Sequence, residues 1–189
     1  MDTHPTLAFV GTVRYERDDL ATAAGFADWL GLHTDAPVAL AADDQVRARV
    51  LALRKAVRTL FARAVEPGPP SRADADRLLD PGAALDQVNE AAGAVLRAPR
   101  LEWPSAHAPR VTERLTEADQ ATRLVADLAR AAIEFLVSED RDRLRACPAP
   151  RCVRYFVRDH PRQAWCKPSC GNRARASRYY QRHHSDPDG

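Results

Sequence analysis

No stretch of this chain approaches the ~20 consecutive apolar residues that a membrane-spanning helix needs. The most apolar segments, such as Ala131 to Val137, are short. The opening Met1-Asp2-Thr3-His4-Pro5 has neither the basic start nor the apolar stretch of a secretory leader, which predicts a cytoplasmic protein with no membrane partner. Lysine is nearly missing, with only Lys55 and Lys167, while alanine and arginine abound. That balance matches the codon bias of a GC-rich bacterial genome. The chain shows no internal repeat and no low-complexity tract beyond the loop Pro67-Gly68-Pro69-Pro70. It also lacks a phosphate-cradling glycine loop, an HExxH pair and a nucleophile with an adjacent base, so nothing in it predicts an enzyme.

What is present suffices for a folded core: 45% of the 189 residues are hydrophobic, enough for one ordinary domain and a small appendage. The net charge of +2 conceals an asymmetry. Residues 1–140 carry 16 basic against 22 acidic side chains, whereas residues 141–184 carry 12 against 2. Ordinary surfaces mix the signs, so the second segment has the footprint of a polyanion-binding module. A domain boundary falls near Glu139 to Arg143, with little room for a flexible linker; the last residues, 185–189, are expected to be a disordered tail.

The first 140 residues read as mainly α. Leu7 to Val13 predicts a short strand or extended lead-in, and a helix follows from Asp19 to about Gly31. Ala42-Asp43-Asp44 opens a longer helix with an apolar stripe of Val46, Val50, Leu53, Val57, Leu60 and Phe61; Arg47, Arg54, Arg58 and Arg63 fall mostly off it. Ser71 and Asp74 resemble a capping box for a short helix to Leu79, and Asp80-Pro81 starts another through Leu96. Residues 99–115 suggest a small β-hairpin. A last helix opens at Thr116-x-x-Asp119, with Leu124, Leu128, Ala131 or Ala132, Phe135 and Leu136 on one side, and ends near Ser138.

All four cysteines lie within 24 residues, as Cys147-x4-Cys152, thirteen intervening residues, and Cys166-x3-Cys170. Two close pairs joined by a loop can aim four thiolates at one Zn2+ in a closed tetrahedron, leaving no open position for catalysis. Disulfides compete with this reading, but a reducing compartment disfavours them. A redox-sensing site is chemically allowed, since basic surroundings favour thiolates. His160 lies in the loop and could replace a cysteine, but four thiolates already satisfy zinc, which makes it a loop histidine. The segment from Leu144 to Cys170 offers only Val153, Tyr155, Phe156, Val157 and Trp165 as core, too few without a staple; zinc would supply on the order of 10 kcal/mol. The predicted unit is a four-cysteine zinc finger of short hairpin and helix.

From Ala174 to His184 the chain reads as a helix. Asn172, Arg175, Arg178 or Tyr179, and Arg182 share one face, suited to phosphates, guanine edges or adenine. Arg173, Lys167 and Arg154, with Arg151, Arg158 and Arg162, would add mainly backbone contacts. Asn172 and Arg173 have a structural alternative: bonding cysteine sulfurs or capping the helix. A protein-interaction or RNA-binding adaptor remains an alternative to a DNA reader.

The run Trp165-Cys166-Lys167-Pro168-Ser169-Cys170-Gly171-Asn172-Arg173, followed by Ala174-Arg175, resembles the bacterial CGNR zinc-finger family. Cys147 and Cys152, Tyr155-Phe156, Asp159 and Arg178-Tyr179 also fit. Leu7 to Thr12 and Trp29-Leu30 resemble the family's N-terminal helical domain, called ABATE, although Gly11 stands where an asparagine is expected. The resemblance implies a stress-induced transcriptional regulator that binds DNA through a zinc finger. Its helical domain would act as sensor or contact surface, toward a protein partner or a second copy of the chain.

Overall fold

The computed structural model describes residues 4–74 and 77–184. The chain enters a helix at once, because His4 Nδ1 accepts from the Thr6 N–H at 3.2 Å and Pro5 fits the first helical position. This helix, α1 (Pro5–Val10), buries Thr6, Phe9 and Val10. It replaces the strand expected over Leu7 to Val13; an apolar run this short has no period of its own, and the cap and proline decide.

Helix α2 (Ala23–His33) starts at Thr22, whose Oγ1 accepts from Gly25 N at 3.1 Å. That is later than Asp19, since Asp18 and Asp19 serve arginines instead. A Cβ on Gly25 would lie 2.2 Å from the Asp19 carbonyl oxygen, so only glycine lets the chain pass there. A 3-10 turn over Val38–Ala42 leads into α3 (Asp44–Ala64), capped by Asp43, which accepts from Gln45 N at 2.7 Å. The expected stripe from Val46 to Phe61 is buried. Arg54 and Arg58 correct the reading: at 6% and 3% exposure they are as buried as the stripe itself.

The short helix expected after Ser71 is not found among the described residues, which form turns there. Helix α4 (Pro81–Gly93) begins as expected, Asp80 Oδ1 accepting from Ala83 N at 3.0 Å, but ends before Leu96. Strands β1 (Arg97–Glu102) and β2 (Arg110–Leu115) make the predicted antiparallel hairpin, Leu101 opposite Val111. Helix α5 (Gln120–Val137) is capped by Asp119, not Thr116; Asp119 Oδ1 accepts from Thr122 N at 2.7 Å, which holds its carboxyl below the usual range. Helices α1, α3, α4 and α5 close around one core, with Phe61 and Phe135 rings 5.0 Å apart at its centre.

One turn of helix, α6 (Asp140–Arg143), then joins β3 (Leu144–Ala146), β4 (Tyr155–Val157) and α7 (Pro168–His184). Helix α7 starts at Pro168 rather than Ala174, which puts Cys170 in its first turn. The expected disordered tail lies outside the described residues.

Candidate metal centre and basic helix

The small hairpin β3–β4 works through both of its faces. Leu144 pairs with Val157 and Ala146 with Tyr155, so these four share one face, while Arg145 and Phe156 share the other. Leu144 and Tyr155 belong to the main hydrophobic core, with Ala146 and Val157 packed against it. Phe156 belongs to a second cluster, with Cys147, Ala149, Cys152, Cys170, Trp165 and Cys166. The core shortage inferred from the sequence is thus met from two sides: the finger borrows helical core on one face and gathers its sulfurs on the other.

Tight turns position the sulfurs. Cys147 N donates to Arg154 O at 2.9 Å and Cys152 N to Ala149 O at 3.1 Å, folding the first pair into a knuckle. Arg151, at its tip, takes a left-handed φ of 57°. The second pair is set by helix α7, where Cys170 N donates to Lys167 O at 3.0 Å. The four ligand atoms lie within 4.8 Å of one another. Cys152 and Cys166 sulfurs stand 3.7 Å apart, and Cys166 and Cys170 3.5 Å. Tetrahedral zinc with bonds near ~2.3 Å spaces its ligands by about 3.8 Å, whereas a disulfide needs ~2.05 Å. All four cysteines are free thiols, and the set fits Zn2+.

Hydrogen bonds from Cys152 and Cys166 pull the Cys147 thiol down to about 2, while the bond with Cys147 pushes Cys152 up to about 12 and Cys166 higher still. Thiolates this close repel one another, and a bound cation relieves that repulsion. His160 takes no part: its Nδ1 accepts from Arg162 N at 3.0 Å in an exposed loop.

Around the sulfurs, Arg173 is drawn inward. Its Nη2 donates to Cys170 Sγ at 3.1 Å and its Nε to Pro150 O at 3.2 Å, tying helix α7 to the first knuckle. Gly171 is buried, and a Cβ there would sit 3.3 Å from the Trp165 ring. Asn172 points elsewhere and accepts from Arg175 on the same helix. Arg175, Arg178, Tyr179 and Arg182 line one shallow exposed groove along α7. The Tyr179 and His183 rings lie tilted against each other, with centres 4.2 Å apart. Lys167 is exposed just before this helix. Arg154 stands apart from the group: it lines a cleft against α1 and α2.

The chain matches two family models in sequence. Residues 3–139 match the ABATE family, described as "Putative stress-induced transcription regulator", and residues 143–183 match the CGNR zinc finger. The chain belongs to the ABATE family. The join between the two matches, at residues 140–142, falls within α6. A comparison with curated proteins gives no match. Among the described residues, no helix is long and apolar enough to cross a membrane.

The ABATE domain grips the finger through a network that sequence reasoning missed. Arg58, from mid-α3, donates to Asp74 at 2.7 and 3.0 Å, to Val10 O at 2.7 Å, and to Val153 O, beside Cys152, at 3.2 Å. Ser71 Oγ donates to the same Val153 carbonyl at 2.8 Å, and Tyr155 OH donates to Asp74 at 2.8 Å. Burial, then the Asp74 carboxylate, pushes the Tyr155 hydroxyl well above its usual range. One turn earlier Arg54 holds Thr12 Oγ1 at 2.7 Å and both oxygens of Asp18. Burial, the largest single influence, would raise the Asp18 carboxyl; the Arg54 hydrogen bond and charge, the Leu20 N–H and the Arg58 charge together outweigh it and hold the carboxyl below the usual range. The i, i+4 spacing of Arg54 and Arg58 beside the apolar stripe was the available signal, since a guanidinium on a buried face needs an acid.

Proposed function

We propose that this protein is a zinc-dependent DNA-binding transcription regulator whose α7 reads or grips the duplex while the ABATE domain holds the finger in place. The observation that carries this reading is α7 itself, which has four arginines and no acidic residue from Pro168 to His184 and is anchored at Cys170 in the finger. With Arg173 committed to the sulfur cluster, Arg175, Arg178, Arg182 and Lys167 remain for phosphates and base edges, and Asn172 is held beside Arg175.

Four neutralised phosphates give a slope of log K against log salt of roughly −3.6. Arg175→Ala should reduce that slope by about 0.9 and weaken binding, measured by fluorescence anisotropy on duplex DNA at several salt concentrations. Absence of duplex binding at low salt would favour a protein-docking role instead. Tyr179 and Tyr180, 56% and 63% exposed among these arginines, support a second reading, since exposed aromatic rings stack on unpaired bases. Stronger binding to single-stranded RNA than to duplex DNA in the same assay would select that reading.

A single module buries only about 600–1,000 Å² of DNA-facing surface, so a second protomer would strengthen binding. The β1–β2 hairpin, with Leu101, Trp103 and Val111 between 65% and 72% exposed, is apolar surface that such a contact would cover.

A further inference from the structure

Between α1, α2 and the finger lies a cavity of about 600 Å³, within the ~300–1,000 Å³ typical of small-molecule sites. Its charges do not balance. Arg14 and Arg17 share one carboxylate, Asp19, at 2.7 and 2.9 Å. Asp18 is neutralised by Arg54. The remaining acid of the lining, Asp28, is exposed at the rim. Arg154, half-buried and the one lining residue supplied by the finger, makes no side-chain hydrogen bond or ion pair among the described residues. Three guanidiniums thus face two carboxylates.

A second observation comes from Trp29, which also lines this cavity. It is 6% exposed, and its indole N–H has no acceptor among the described residues. That N–H is itself sealed from solvent, so what Trp29 offers the cleft is its ring, an aromatic wall fixed by burial. Leu7, Ala8 and Leu32 complete the lining, and Leu32 is 78% exposed despite its size. An apolar body would find cover for itself and for Leu32 there.

We propose that this cleft binds a small organic carboxylate with an apolar body, its charge on Arg154 and its apolar body against the Trp29 ring. Guanidinium pairs with carboxylate through two parallel bonds, and burial against Trp29 and Leu7 favours a hydrocarbon or aromatic portion over a bare inorganic anion. Such a ligand touches the ABATE domain and the finger segment at once, through Trp29 and Arg154. It is read by an arginine outside the α7 groove, so its binding does not depend on whether α7 grips DNA.

The test uses the full-length zinc-loaded protein and phenylacetate as probe, followed by the nitrogen–proton signals of the tryptophan indoles. The Trp29 signal is identified by its loss in Trp29→Phe. Phenylacetate should shift that signal saturably and leave Trp103 unmoved. The uncharged phenylacetamide, and phenylacetate on Arg154→Gln, should each bind about tenfold more weakly or worse. Because the Arg154 guanidinium has no partner among the described residues, Arg154→Gln should keep its zinc and its melting temperature; should it not fold, the acid-against-amide comparison on the unaltered protein still decides. No saturable shift with phenylacetate, equal binding of acid and amide, or unchanged binding by a folded Arg154→Gln would each overturn the proposal.

Discussion

The two hairpins of this molecule differ in a direction that strand length alone would not suggest. β1–β2 pairs six residues on each side, and all but two of those twelve are exposed. β3–β4 pairs only three, yet Leu144, Tyr155 and Phe156 are buried, with the helical core behind one face and the sulfur cluster before the other. A two-stranded hairpin in water is marginal by itself. The difference teaches that here the ladder is incidental, and what each face touches sets the stability.

The largest effect that sharpens this contrast is metal removal. Chelation, or Cys147→Ser, should strip the finger of a contribution on the order of 10 kcal/mol. In hydrogen exchange on the whole protein, amides of residues 144–157 and of the first turns of α7 should lose protection while those of α3 and α5 keep theirs. Unchanged protection at Ala146 and Tyr155 would mean that the helical core alone holds the hairpin. Next comes Arg58→Met, which leaves Asp74 buried without its cation and takes one of two donors from the Val153 carbonyl; about 3–5 kcal/mol of stability should be lost in urea unfolding. A loss below about 1 kcal/mol would deny the network its part in docking the finger.

A smaller, pH-dependent effect belongs to Tyr155. Its hydroxyl titrates higher in the folded state than in the unfolded chain, where it ionises near ~10. The stability it contributes is therefore complete below about pH 10 and is lost as pH rises beyond that, toward the folded value. Tyr155→Phe should flatten the alkaline limb of the stability curve, and an unaltered limb would place the titrating group elsewhere. The smallest change is expected in the other hairpin: Val111→Thr, at a position 72% exposed, should stay within about 0.5 kcal/mol. A concentration-dependent loss there would reveal that a second copy covers β1–β2.

The sequence is most informative where its signals are local. Asp43 and Asp80 start helices that a reader can place, the stripe from Val46 to Phe61 faces the core, and the spacing of Cys147, Cys152, Cys166 and Cys170 foretells the sulfur cluster. Ser71 and Asp74 mislead for the opposite reason. Their short-range pattern fits a helix cap, but their partners, Val153 and Tyr155, lie some 80 residues away. Arg58 resembles surface charge in the sequence because the acid that neutralises it comes from a loop outside its own helix. Likewise Arg154 sits within a basic run in sequence, and only the fold separates it from α7 and turns it toward Trp29's cleft.

Because β3–β4 is shared property, residues 143–183 are not a portable cassette. Transplanted alone onto another scaffold, they would carry Leu144 and Tyr155 as bare greasy patches and strand a carbonyl beside a cysteine without its arginine. A working graft has to include the middle of α3 and the turn at residues 71–74, or a host surface that imitates both.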